Sequence, residues 1–175
     1  CSNLTIYCQI GYSLSMNESS SSRSGEAVTA LILEVFRLNG RLLAAGDRLV
    51  AGLGLSSARW QVLGAIALAA APQPVAHLAR AMGLNRQGVQ RIVNELEADG
   101  ILAFRDNPHH RRAKLVMLTA RGQAAYAAAD RLQKPWADDL ARGLAPEEIT
   151  ICLRLIGTLR QRLEAEADPG GAEGA

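Results

Sequence analysis

Apolar residues recur at helical spacing over a long stretch near the start of the chain. Between residues 26 and 51 they fall alternately three and four positions apart, the spacing of helices that pack along a heptad seam. These positions are Val28, Leu31, Val35, Leu38, Leu42, Ala45 and Leu49. A helix of this length would extend about 39 Å, more than a small domain usually buries alone. The pattern predicts a dimerisation helix over residues 26–54 that reaches another subunit.

A second seam of the same spacing lies near the end of the chain. Its apolar positions are Ile149, Cys152, Ile156, Leu159 and Leu163. Pro146 stands at the favoured first helical position, and Thr119 is placed to cap an alanine-rich helix before it. The sequence therefore predicts two further dimerisation helices over residues 123–167. Cys152 on this seam fits a buried structural thiol better than a reactive one.

Residues 55–100 carry the signals of three shorter helices. Ser56 is placed to cap the first, which extends to about residue 70, and the run Pro72-Gln73-Pro74 then breaks the chain. The second covers residues 75–82 and ends at Gly83. Asn85 is placed to cap the third, over residues 86–99. Two helices this close together are spaced as in a helix-turn-helix, whose second helix enters the DNA major groove.

The helix over residues 86–99 separates apolar from polar side chains. One face carries Val89, Ile92, Val93 and Leu96, and the other carries Gln87, Gln90, Arg91 and Asn94. Amide and guanidinium groups can form paired hydrogen bonds with adenine and guanine edges, so the polar face is a candidate DNA contact. Gly88 costs about 1 kcal/mol against alanine. Either close approach to a phosphate or packing against the preceding helix could account for it.

A predicted β-hairpin follows. Short apolar runs over residues 101–105 and 114–118 enclose a polar tip, a pattern typical of two paired strands. The basic side chains around this tip outnumber its one acid, Asp106, and are Arg105, Arg111, Arg112 and Lys114. Such a narrow basic tip can enter a DNA minor groove, where the negative potential attracts arginine. Together the helices and hairpin predict a winged helix-turn-helix over residues 55–122.

The distribution of charge points to the same segment. Residues 75–122 hold eight basic and four acidic side chains, whereas residues 123–175 hold six and nine. A block of +4 in a chain of net charge +2 is the footprint of a surface that binds a polyanion. Taken alone, this number also fits an ordinary solvated face.

Composition limits the class of protein. A chain of 175 residues with 49 % hydrophobic residues predicts one globular domain. Its longest apolar run, residues 62–71, is too short for the roughly 20 residues of a membrane span. Three widely spaced cysteines without a CxxC pair indicate reduced thiols and a cytoplasmic protein. The polar, serine-rich residues 1–25 predict a disordered leader, and residues 168–175 a disordered tail.

We find no catalytic or cofactor motif in the sequence. There is no GxSxG, no Walker sequence and no complete dinucleotide-binding loop, so we expect a protein that is not an enzyme and needs no cofactor. His77, His109 and His110 could together suggest a zinc site, but these residues lack the i, i+4 spacing that lets two imidazoles share a metal on a helix. We therefore predict no metal.

Three segments together resemble the MarR-type transcriptional regulators. They are residues 61–66, 77–100 and 111–122, and the resemblance extends over about residues 26–165. It implies an obligate homodimer with intertwined first and last helices, whose two lobes bind a near-palindromic operator. Many such regulators are repressors released by a small aromatic or lipophilic effector.

The resemblance also implies which residues contact DNA. The positions that match the recognition helix are Asn85, Arg86, Gln87, Gln90 and Arg91. The wing arginine that enters the minor groove matches Arg112, with Arg111 beside it. The family usually has an aspartate that orients these arginines where this chain has His110.

The sequence thus predicts a mainly α protein with a small β-hairpin wing, flanked by N- and C-terminal dimerisation helices. Its predicted function is that of a sequence-specific regulator that binds double-stranded DNA as a homodimer and responds to a ligand. The alternative is a dimeric small-molecule-binding or interaction protein without specific DNA binding. Candidate ligand contacts are Trp60, Arg37 and Arg41, although a lone tryptophan usually lies in the core and helix-surface arginines often face water.

Overall fold

The computed structural model describes residues 23–108, 110 and 112–167, and this part is mainly helical with one small antiparallel sheet. The predicted fold class is confirmed. The elements in chain order are α1 (Arg23–Val50), α2 (Ser57–Leu68), β1 (Gln73–Pro74), α3 (Val75–Ala81), α4 (Arg86–Ala98), β2 (Leu102–Arg105), β3 (Leu115–Leu118), α5 (Ala120–Leu140) and α6 (Pro146–Ala167). A short 3₁₀ helix, Ala51–Leu53, follows α1.

The described residues divide into two units between Arg48 and Leu49. In the first unit, α1 begins at Arg23, so the expectation that residues 23–25 belong to a disordered leader was wrong. The apolar periodicity begins only at Val28, so it does not mark the first turn of the helix. Residues 1–22 of the predicted leader, and the predicted tail over residues 168–175, lie outside the described residues.

The second unit is organised around one hydrophobic core. Its largest fully buried side chains come from the α1 end, α2, α4 and β3, and are Val50, Val62, Leu63, Val89, Val93, Leu96 and Val116. Ile92 packs partly buried against them. The apolar face predicted for residues 86–99 is therefore the face that α4 buries. Its polar face is left at the surface.

Three of the helices begin at the capping residues that the sequence predicted. Ser56 Oγ accepts a hydrogen bond from Arg59 N at 3.3 Å, and Asn85 Oδ1 accepts one from Gly88 N at 2.7 Å. Thr119 Oγ1 likewise accepts from Gly122 N at 3.1 Å. Each bond satisfies a backbone donor that the first turn leaves unpaired. These starting points are consequently decided by residues adjacent in sequence.

The sheet contains one strand more than the sequence predicted. β2 and β3 form the expected antiparallel hairpin, in which Leu102 faces Leu118. The chain break expected at residues 72–74 is instead partly a strand, because β1 pairs with β3 in the order β1-β3-β2. A proline is compatible with this position since β1 is an edge strand, where a missing N–H leaves no ladder bond unmade.

The two C-terminal helices agree with the predicted pattern. α5 continues through Pro135 to Leu140, and α6 begins at Pro146. The Glu148 carboxylate reaches back to accept a hydrogen bond from Ala145 N at 3.1 Å, which stabilises the α6 start.

Candidate nucleic-acid interface

The outward face of α4 is a continuous polar surface. Gln87, Arg91 and Asn94 are exposed, and Gln90 is partly buried. With Arg86 and Glu95 these side chains line a shallow cleft of about 630 Å³, which we call the α4 cleft. The structure therefore brings together five of the residues predicted to contact DNA. Asn85 lies beside them as the residue that caps the helix.

A second cleft joins α4 to the β2–β3 hairpin. It has a volume of about 360 Å³, and its lining includes Arg86 and Gln90 of α4 together with Arg112 and Lys114 of the hairpin. We call it the helix–wing cleft. Residues separated by more than 20 positions thus share one concave surface. His109 and Arg111, which were also predicted at this tip, lie outside the described residues.

The lining of the helix–wing cleft also includes residues that the sequence did not predict to lie at the DNA interface. Pro74, Val75 and Phe104 line it together with the basic side chains. Pro74 reaches this position through the pairing of β1 with β3, which the sequence did not predict. The one hint in the sequence is that Pro74 directly precedes the helix Val75–Ala81.

The loop between β2 and β3 is tied across its base. Asn107 Nδ2 donates to the Ala113 carbonyl at 3.0 Å, and Ala113 N donates to the His110 carbonyl at 3.0 Å. Arg112 lies next to these bonds and is exposed. The loop therefore presents Arg112 to solvent from a backbone that has its own hydrogen bonds.

Arg91 has a weak partner on its own helix. Its Nη1 lies 4.0 Å from Glu95 Oε1, and the two side chains are 78 % and 51 % exposed. An ion pair this open to solvent contributes little, typically about 0–1 kcal/mol. Arg91 can therefore exchange this contact for an anionic or hydrogen-bonding partner at little cost.

The surroundings of Gly88 do not favour packing against the preceding helix, which was one of the two explanations for this glycine. An added Cβ would lie 3.2 Å from Asn85 Oδ1, and its three nearest neighbours outside the helix backbone all belong to the Asn85 side chain. The capping side chain, rather than the preceding helix α3, therefore occupies the space beside Gly88. The glycine lets Asn85 sit close over the first turn of α4.

The far end of α4 is held by two arginines. Asp99, which follows the last helical residue, forms a salt bridge with Arg59 Nη2 of α2. Its carbonyl accepts a hydrogen bond from Arg121 Nη1 of α5 at 2.8 Å. Cations are also favourable near a helix C-terminus because of the helix dipole. The sequence gave no signal for this cluster, since Asp99 lies 40 positions from Arg59 and 22 positions from Arg121.

We expect Asp99→Asn to lower the free energy of unfolding by no more than about 1 kcal/mol, because the carboxylate is half exposed and its attraction to Arg59 is screened. Urea denaturation at low and at high salt measures this loss, which is expected to shrink as salt rises. Asp139→Asn, which opens a more exposed pair with Arg142, is the matched control. A loss of several kcal/mol, or one that salt leaves unchanged, contradicts the expectation.

The predicted ligand residues have ordinary surroundings. Trp60 is partly buried and packs against the hydrophobic core, which is a structural role. On α1, Arg37 Nη1 bonds Glu34 Oε2 at 3.1 Å, and Arg41 is exposed. A cleft of about 460 Å³ between α2 and α3 is lined by apolar residues such as Leu68 and Met82, but its lining does not include Trp60. Ligand binding by these three residues stays a prediction.

The described residues contain no candidate metal-binding cluster and no candidate membrane span. His77 Nδ1 lies 3.0 Å from Gln73 Oε1, and among residues 23–108, 110 and 112–167 no three His, Cys, Asp or Glu side chains are grouped to hold a metal ion. In the same part of the chain, no helix combines the length and apolar character that crossing a membrane requires.

Comparison with known proteins supplies independent information. A MarR family model matches residues 53–113. The Rv2011c protein of Mycobacterium tuberculosis is 39 % identical over 98 residues, which cover 56 % of this chain and 67 % of that protein. BadR of Rhodopseudomonas palustris, a transcriptional activatory protein, is 29 % identical over 103 residues, 58 % of this chain and 59 % of its own.

A solved structure is similar to this chain over most of its length. The transcriptional repressor CouR, bound to a 23-mer DNA duplex, is 25 % identical and superposes with a TM-score of 0.66. The match covers 81 % of this chain and 99 % of CouR. Sequence and fold agree, and the chain belongs to the MarR family of winged-helix transcriptional regulators.

Proposed function

We propose that this protein binds double-stranded DNA sequence-specifically, with α4 in the major groove and the β2–β3 wing in the adjacent minor groove. The observation that carries the proposal is the helix–wing cleft, which Arg86 and Gln90 line together with Arg112 and Lys114. Cations position a protein on phosphates, whereas amides and guanidinium groups distinguish bases. Both kinds of group are present on this one surface.

The proposal includes a homodimer. In the single chain, α1 exposes large apolar side chains; Phe36 is 58 % exposed and Leu38 is 51 % exposed. On α6, Ile156 and Leu163 of the predicted seam are 45 % and 64 % exposed, and Cys152 is exposed as well. Monomeric proteins rarely expose so many large apolar residues. A second copy of the chain would bury them and place two lobes on a near-palindromic operator.

We further infer that binding represses transcription until a small aromatic or lipophilic effector releases the DNA. CouR is a repressor and BadR an activatory protein, so the direction of regulation is tested with a reporter gene behind the selected operator. Expression is expected to fall when the protein is present and to recover with an active compound. A rise in expression on adding the protein would reverse the assignment.

Selection of binding sites from random duplex DNA tests the proposed function most directly. A single enriched sequence with half-sites about one helical turn apart is expected. Its affinity is expected to fall steeply with salt, because neutralising several phosphates releases counterions. A dimeric small-molecule-binding protein without specific DNA binding would enrich no sequence, and its ligand affinity would depend little on salt.

Two arginine substitutions separate the proposed roles of helix and wing. Arg91→Ala is expected to cost about 1–3 kcal/mol on the selected operator and to relax the preference at one base pair, whereas Arg112→Ala weakens binding to all sequences more evenly. Affinities for the operator and for single-base variants measure both effects. Arg142→Ala, which removes an exposed arginine outside the proposed interface, is the control. Wild-type affinity in both test variants would contradict the assignment.

A further inference from the structure

The outward face of α4 holds a hydrogen bond between two amide side chains. Gln90 Nε2 donates to Asn94 Oδ1 at 2.8 Å, as residues four positions apart on a helix can do. A side-chain amide has one oxygen and two N–H groups. This bond therefore turns the Gln90 nitrogen toward Asn94 and the Gln90 oxygen away from it. Gln90 keeps its oxygen and one N–H for another partner.

The two amides differ in position. Gln90 is partly buried and lines both the α4 cleft and the helix–wing cleft, whereas Asn94 is exposed and lines only the α4 cleft. Gln90 also lies in the first half of α4, the part of a recognition helix that contacts base edges. Asn94 is about 6 Å farther along the helix axis. Gln90 is thus placed to contact a base, and Asn94 to orient it.

The groups left on Gln90 match one base. Adenine presents an acceptor, N7, and a donor, the N6 amino group, in the major groove, which complement one amide N–H and one amide oxygen. Guanine presents two acceptors there, so its O6 would face the Gln90 oxygen. We propose that Gln90 recognises an adenine in each operator half-site, with Asn94 as the positioning residue for its amide. This inference rests on the proposed function and goes beyond it by naming the base that Gln90 recognises.

Base preferences measured position by position test the inference. Gln90→Ala is expected to lose the adenine preference at one position of each half-site, a change of about 5- to 150-fold, and to keep the others. Asn94→Ala is expected to weaken the preference at that same position. Asn94→Asp still offers an oxygen to Gln90 Nε2, so it keeps the preference while its negative charge lowers affinity for every sequence.

A matched control comes from α2. Gln61 Nε2 bonds Ser57 Oγ at 3.3 Å, again four positions away, on a helix that does not line either cleft. Gln61→Ala removes a comparable hydrogen bond donated by a side-chain amide and is expected to leave every base preference unchanged. A merely structural role for the Gln90–Asn94 bond would alter stability without altering one chosen base position.

The outcomes separate this inference from the proposed function. If the wild-type chain enriches no sequence, the proposed function fails. If it enriches an operator but Gln90→Ala changes no position, or changes a guanine position, the adenine inference is wrong while the proposed function stands. If Gln90→Ala acts as expected but Asn94→Ala keeps the full adenine preference, the positioning role of Asn94 is wrong.

Discussion

Ile156→Glu is expected to turn the proposed dimer into monomers and to reduce operator binding to that of a single lobe. Ile156 lies in the middle of the α6 seam and is 45 % exposed in the single chain. In a symmetric dimer the substitution occurs twice, and only the exposed 45 % of each side chain is left to bury, so about 1.4–2.7 kcal/mol of apolar burial is lost before the charge is considered. The lost burial alone raises the dimer dissociation constant about tenfold to a hundredfold, and the two buried charges raise it further.

Sedimentation equilibrium and operator titration measure the two consequences together. Gln161→Glu is the matched control, because it adds the same charge to an exposed position on the opposite side of α6. The control is expected to remain dimeric and to bind the operator normally. An Ile156→Glu protein that stays dimeric, or a wild-type protein that is already monomeric, would contradict the proposed interface.

Gly122→Ala is expected to destabilise the fold strongly, although it adds only one methyl group. Gly122 is buried in the first turn of α5, and an added Cβ would lie 2.2 Å from the Ile101 carbonyl oxygen, a distance that no real Cβ contact reaches. That oxygen accepts hydrogen bonds from Thr119 N at 3.1 Å and from Thr119 Oγ1 at 3.0 Å. It cannot move away without lengthening both bonds.

The expected loss is about 2–4 kcal/mol, the sum of an overpacked site and weakened hydrogen bonds. Thermal unfolding at matched protein concentration measures it as a Tm lower by roughly 4–16 °C. Gly64→Ala is the control, since its nearest new contact, Tyr126 Cε2, is an ordinary 3.8 Å away. Alanine is favoured in the middle of α2, so this variant gains up to about 1 kcal/mol. Equal Tm values for the two variants would contradict the argument.

Much of the fold was predictable because it depends on neighbouring residues. The caps at Ser56, Asn85 and Thr119 act within one helical turn, and the apolar spacing of residues 86–99 follows from the helix period alone. The same holds for the β2–β3 hairpin, whose strands are joined directly by its loop. The α1 start was missed because a first turn carries no periodic signal.

Contacts between distant segments were not predictable in this way. The pairing of β1 with β3 joins residues more than 40 positions apart, and a two-residue strand has no recognisable period. The same applies to the salt bridge between Arg59 and Asp99. Such contacts depend on how whole elements pack, which single-chain spacing does not encode.

The sequence by itself determined which side of α4 is buried, because only one side carries the branched apolar residues that the core accepts. It also determined that the wing is basic and that two helices carry apolar residues at heptad spacing. Only the tertiary structure decided that Arg112 and Lys114 line one cleft with Arg86 and Gln90. That arrangement follows from the packing of the sheet against α4, a long-range event whose free energy comes from burying both elements at once.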